Sequence, residues 1–327
     1  MNRLSIIVPL YNSARYLPKC LDSLLCQDIP YSDYSIILVN DGSPDNSVDI
    51  ATDYAQRYEN IVVISQPNKG TSGARNIGLR YADSKYVYFV DPDDYILEHS
   101  LAVPLAQMDS EDLDILRFAY CEVNEQYEPT RSCKHPETPD YSPRIMDGAT
   151  FMSERLGTAC YVWTFIFRLS VIKNNNIFFY EGDYFDDTPW LPRVFLHASR
   201  VNSIDFHRHF YLIRQNSLVQ SKKSTSISRK IDGQRFLINE LCNQEKKSGS
   251  VQASRWYRMM LAHCVLSLLT LVSRFDYNGR KTYIHELKQL KVFPVSRYRA
   301  NWENSLKMSI INISPTLFCF LIKISNK

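Results

Sequence analysis

Three aspartates close the segment "YVYFVDPDDYI", residues 86–96, and two more stand side by side about ninety residues later in "EGDYFDDTPW". Asp91 and Asp93 are alternate residues, so at a strand end their side chains leave on the same side and can converge on one ligand. Oxygen-only donors of this kind suit hard cations such as Mg2+ or Mn2+. Those ions take one or two carboxylates and complete their shell with substrate phosphates. The same letters also spell a turn. Asp at the first position and Pro92 at the second favour type I, with Asp93 or Asp94 free to cap a following helix. In the second acidic segment, Asp187 or Thr188 can cap a helix whose first position is Pro189. The chemical alternative is a general base: Asp187, with Asp186 beside it, accepting a hydroxyl proton as a bond forms.

These acids need a scaffold, and the first hundred residues supply one. "LSIIVPL", "YSIILVND", "IVVISQ" and "YVYFVD" are apolar runs of the fully buried strand type. Between them, "ARYLPKCLDSLLCQ", "SVDIATDYAQRY" and "SGARNIGLRYA" carry apolar residues at helical spacing, the second with Ser43 as N-cap and Pro44 at its first position. That alternation predicts a mostly parallel, right-handed, doubly wound sheet. Ligands of such sheets bind beyond the carboxyl ends of the strands. All four polar clusters, "PLYN", "VNDGSPDNS", "QPNKGTSGARN" and "VDPDD", fall at those ends. The glycine-containing cluster fits neither GxGxxG nor GxxxxGK[ST], so neither a dinucleotide fingerprint nor a Walker loop is supported. It can still turn tightly into a helix and aim Arg75 at an anion.

Together and in order, "SIIVPLYNSARYLPKCLDSLLCQ", "ILVNDGSPDNS", "NKGTSGARNIGL", "YVYFVDPDDYI" and "EGDYFDDT" resemble the bacterial family 2 inverting glycosyltransferases of GT-A fold. The likeness covers roughly residues 3–215. It implies a nucleotide-sugar donor, commonly a UDP-sugar, a divalent cation (Mn2+ or Mg2+), and a glycan or lipid-linked saccharide as acceptor in capsule, exopolysaccharide or O-antigen assembly. Matched residue by residue, it places Pro9 and Tyr11 against the base and Asp41 on a base N–H, with Arg75 near the diphosphate. Asp91 and Asp93 become the DxD pair on ribose and metal, Asp94 approaches the donor sugar, and Asp187 is the catalytic base. Two positions depart from the family: Asp186 stands where Glu is usual, and Phe165 where a lysine commonly follows the Trp of "VWTFIF" by two residues. A nucleotidyltransferase would share the sheet and the acids but ordinarily brings a Gly-rich, basic N-terminal loop, which "PLYNSARYL" is not. A catalytically inactive sugar-binding protein is the other alternative.

The domain plan that follows is a glycosyltransferase domain over 1–220, with 1–105 binding the nucleotide-sugar and 106–220 the acceptor, then a basic helical region over 221–327. Within 106–220, "DILRFAYCEV" reads as a strand, while "CYVWTFIFRLSVIKNN" fits strand and helix equally. Charge divides the chain at the same place. Residues 1–220 hold 19 Lys+Arg against 29 Asp+Glu, and residues 221–327 hold 19 against 6. A basic tail with Leu-rich and aromatic helices suits an anionic membrane surface, and no nucleic-acid motif is present. The eight cysteines form no CxxC pair and read as reduced thiols. The apolar run before Pro9 is too short for a signal peptide, so the expected location is cytoplasmic, peripheral on the inner membrane face.

Overall fold

The structure is a computed structural model that describes residues 2–130, 140–141, 144–182, 187–214, 224–296 and 302–325. Its contacts divide the chain into two compact units. One comprises Met1–Phe151 with Tyr161–Gln220, the other Met152–Cys160 with Ser221–Lys327. A single cut after residue 220 therefore misses a short segment, Met152–Cys160, that belongs with the C-terminal helices.

The first unit is built on β1 (Leu4–Leu10), β2 (Tyr34–Asn40), β3 (Ile61–Ser65), β4 (Tyr86–Phe89), β5 (Tyr95–Ile96), β6 (Ile115–Val123), β7 (Asp140–Tyr141), β8 (Phe165–Arg168) and β9 (Val201–Leu212). They form a nine-stranded sheet in the order β3-β2-β1-β4-β8-β6-β9-β5, with β7 paired to β9. β3, β2, β1 and β4 run parallel, as the alternating pattern predicts. Beyond β4 the directions mix: β8 is antiparallel to both neighbours, whereas β6 and β9 are parallel. The unsettled "VWTFIFRLSVIKNN" contains both elements, β8 followed directly by a helix.

The helices of this unit are α1 (Leu17–Leu25), α2 (Ser47–Arg57), α3 (Gly70–Tyr81), α4 (Ala102–Ser110), α5 (Gly148–Glu154, running into the second unit's segment), α6 (Leu169–Asn174) and α7 (Asp187–Phe195). α2 starts one turn later than predicted, after Asn46. Ser43 instead donates its hydroxyl to Asp45 at 2.6 Å and accepts the Asn12 N–H at 2.8 Å, tying this loop to the end of β1. β1 and β4 are buried along their whole length. Pro9 sits in β1 without breaking the sheet, because β1 pairs β4 only from Leu4 to Ile7 and the proline lies past that pairing.

The second unit carries α8 (Ser224–Ser248), α9 (Val251–Val272), α10 (Tyr277–Gln289), α11 (Trp302–Ile313) and α12 (Pro315–Ser325). Gly249 at φ +59 turns the chain out of α8, and Ser250 caps α9 by accepting the Ala253 N–H at 3.2 Å. α9 is buried through Trp256, Tyr257, Met260, Cys264, Leu268 and Leu269. The Trp256 indole donates to the Gly157 carbonyl at 3.1 Å, which anchors the Met152–Cys160 segment. Among the described residues, no helix is long and apolar enough to cross a membrane. Six described cysteines (Cys20, Cys26, Cys160, Cys242, Cys264, Cys319) are in no disulfide, but Cys121 is disulfide-bonded, which corrects the expectation of reduced thiols throughout. Cys133 lies outside the described residues.

α3 can lie close on β1 because residue 78 is glycine. A Cβ there would collide with Ile7 Cγ2. Gly78→Ala is expected to lower stability by about 1–3 kcal/mol through overpacking, read as a reduced urea midpoint for the first unit.

Candidate active site

The carboxyl edge of β4 turns sharply. Asp94 N–H donates to the Asp91 carbonyl at 3.0 Å, closing the Asp-Pro-Asp-Asp turn that Pro92 predisposes. The element that follows is β5, not a helix, so neither Asp93 nor Asp94 serves as an N-cap.

Arg75, from the middle of α3, is 3% exposed and reaches both acidic segments. Its Nη2 donates to Asp91 Oδ1 at 2.8 Å and its Nη1 to Asp187 Oδ1 at 2.7 Å. Asp187 opens α7, and its Oδ2 accepts the Val162 N–H at 3.1 Å. One guanidinium thus fixes two carboxylates that lie 96 residues apart in the chain. The neighbouring Asn76 clamps the approach to this acid: its Oδ1 accepts the Phe179 N–H at 2.7 Å and its Nδ2 donates to the Phe179 carbonyl at 3.0 Å. Asp186 lies outside the described residues.

The other two aspartates of the turn face partners on β9 and just beyond it. Asp93 pairs with Arg214 at 2.5 Å. Asp94 is 1% exposed; its Oδ1 accepts the Leu212 N–H at 2.9 Å and its Oδ2 lies 2.8 Å from His209 Nε2. His209 is wholly buried, and burial pushes its pKa down to about 3, so the ring is neutral. With Nε2–H donating to the carboxylate, Nδ1 accepts the Tyr88 hydroxyl at 2.7 Å. Burial, followed by the charge of Asp91, pushes the Asp94 carboxyl up. For Asp93, burial and then the charge of Asp94 raise the carboxyl to about 7.

His209 also carries one end of an aromatic stack. Trp163 lies on it with centroids 4.4 Å apart, and Tyr161 and Tyr211 stack on Trp163 at 4.8 and 5.3 Å. Sequence reasoning missed His209, Arg214 and this stack. The signal was the alternation His209, Tyr211 in "HFYL", which places them on one face of β9.

The remaining expected residues fall around the same edge. Tyr11 is half exposed just past β1. Asp41 is buried, and its Oδ1 accepts Gln66 Nε2 at 2.7 Å and the Lys69 N–H at 2.8 Å, joining the end of β2 to the loop before α3. Phe165 is core: it packs edge-on against Phe195 and beside Phe167, so this position contributes no charge.

Residues 5–175 match the family described as glycosyl transferase family 2. The chain belongs to that family. Membership sets aside the nucleotidyltransferase alternative. Among the family's proteins it is similar to the uncharacterized glycosyltransferase EpsJ of Bacillus subtilis (strain 168). The two are 36% identical over 223 residues, covering 66% of this chain and 62% of EpsJ. It is 27% identical over 251 residues to the poly(ribitol-phosphate) beta-N-acetylglucosaminyltransferase TarS of Staphylococcus aureus (strain Mu50), covering 75% of this chain and 41% of that one. The chain thus spans less than two thirds of the length of these curated relatives. The crystal structure of S. aureus TarS 1-349 in complex with UDP-GlcNAc superposes with a TM-score of 0.73 at 21% identity, covering 99% of this chain and 91% of that one. The GT-A fold is therefore shared.

Tyr88→Phe keeps the ring packing but leaves His209 Nδ1 without its donor in a buried site. The expected cost is about 1–3 kcal/mol in urea unfolding of this unit.

Proposed function

We propose that the chain is an inverting glycosyltransferase. It moves a sugar from a UDP-sugar to a hydroxyl of a glycan or lipid-linked saccharide during cell-surface polysaccharide assembly. The observation that carries this reading is the Arg75 bridge, because it brings the donor-side acid Asp91 and the base-side acid Asp187 to one guanidinium. The bound UDP-GlcNAc of TarS supports the donor class, and the polymer in that protein's name supports a cell-surface acceptor.

In this reading the donor lies along the carboxyl edge of β1, β2 and β4. Pro9 and Tyr11 flank the base, Asp41 accepts its N–H, and Asp91 contacts the ribose. Arg75 stands where the diphosphate arrives. Asp94, held by His209 and Leu212, fixes the turn beside the donor sugar. Asp91 and Asp93 offer only oxygen donors at the end of β4. A hard divalent cation, Mn2+ or Mg2+, therefore fits at Asp93. When bound it would neutralise charge on the departing diphosphate. Asp187 is oriented through both oxygens, one by Arg75 and one by the Val162 N–H, and takes the acceptor proton as the hydroxyl attacks the anomeric carbon from the opposite face. The stacked Tyr161, Trp163 and Tyr211 offer a flat apolar platform for the acceptor. The basic C-terminal region meets an anionic membrane surface, which makes the enzyme peripheral on the inner face of the cell membrane.

A screen of nucleotide-sugars with Mn2+, reading free nucleoside diphosphate, should single out one UDP-sugar, and a chelator should suppress the release until Mn2+ is restored. Asp187→Asn is expected to lower transfer by about a thousandfold while UDP binding by calorimetry persists. Loss of UDP binding in that variant would reassign Asp187 to holding the donor.

A further inference from the structure

The helical unit holds a cavity of about 600 Å3 lined by Arg280, Lys281, His285 and Lys288 of α10 and by Thr316 and Cys319 of α12. Arg280 is only 8% exposed. Its Nε donates to the Asp276 carbonyl at 3.1 Å, and among the described residues it forms no ion pair with a carboxylate. A buried guanidinium normally has its donors filled and its charge compensated. Glu286, the carboxylate on the cavity wall, does not compensate it, because Arg235 binds Glu286 through two contacts of 2.9 Å. Lys281 and Lys288 are exposed and add positive charge at the same wall. The missing component is an anion.

α12 indicates where that anion comes from. Thr316 and Cys319 turn toward the cavity. Leu317, Phe320, Leu321 and Ile324 recur at i, i+3, i+4 and i+7 and are 42–55% exposed, forming an apolar stripe about a third of a turn away. Basic groups of α10 and bulky apolar groups of α12 thus stand side by side, the pairing of charge and apolar surface that suits a lipid interface. We propose that this cavity binds the phosphate of an anionic membrane lipid on Arg280, with the α12 stripe set among the acyl chains. This rests on, and localises, the membrane-surface reading above.

The test is flotation of the full chain on phosphatidylglycerol/phosphatidylcholine vesicles against phosphatidylcholine alone, with UDP-sugar hydrolysis and thermal melting measured for each variant. Arg280→Gln should weaken binding to the anionic vesicles about fivefold, and Lys281→Glu with Lys288→Glu should do at least as much. Lys246→Glu with Lys247→Glu, an equal charge change at the end of α8, should do much less. Phe320→Ser with Leu321→Ser should abolish flotation without altering charge. Hydrolysis should be unchanged throughout. Equal losses from the two lysine pairs, or wild-type flotation of folded Arg280→Gln, would sink the lipid site while leaving a diffuse membrane attraction intact. A wild type that never floats would remove both the site and the membrane reading. Arg280-dependent stabilisation by glycerol 3-phosphate without flotation would also overturn the proposal, since the cavity would then serve a soluble phosphate.

Discussion

Arg75 is the residue on which the first unit's chemistry depends. Its guanidinium is almost fully out of water and is shared between a turn at the end of β4 and the first residue of α7. Removing the cation would take from two partly buried carboxylates the guanidinium they share. The position of Arg75 follows in turn from α3. That helix rests on β1 over Gly78, and its Asn76 clamps Phe179 on the path to Asp187. A helix packed on the parallel half of the sheet thus sets the spacing of acids from both halves.

Much of this was legible in the residues. Fully apolar runs bounded by polar clusters marked β1, β2, β3 and β4, and the parallel order follows from helices lying between them. The Asp91-Pro92 pair announced a turn, and the turn formed. Asp187 ahead of Thr188 and Pro189 announced the start of α7. Each of these signals lies within a few residues of its consequence.

Other features depend on segments far apart in the chain, and no local pattern encodes them. Asp94 looked like a cap or a donor contact because nothing near it in sequence reveals His209, 115 residues away. Arg214 on Asp93 is equally remote. The mixed direction of β8, β6 and β9 is set by which edges remain to be paired after β4, not by residue periodicity. Ser43 failed as a cap because Asp45, two residues on, captured its hydroxyl and let the helix begin later. Cys121 gave no sign of its disulfide, since its surroundings read as a plain strand.

The segment Met152–Cys160 has a bearing on how this chain can be handled and made. The polypeptide leaves the sheet-containing unit after Phe151, contributes to the helical unit, and returns at Tyr161 before departing again after Gln220. The helical body therefore has a piece of itself synthesised about sixty residues ahead of the rest. On the ribosome that piece must wait until α9 emerges with Trp256, whose indole binds the Gly157 carbonyl. A fragment ending at residue 220 would lack the Trp256 donor to Gly157 and the unit to which Met152–Cys160 belongs, so shortening the protein to its sheet requires redesigning nine residues in its middle as well as choosing an end.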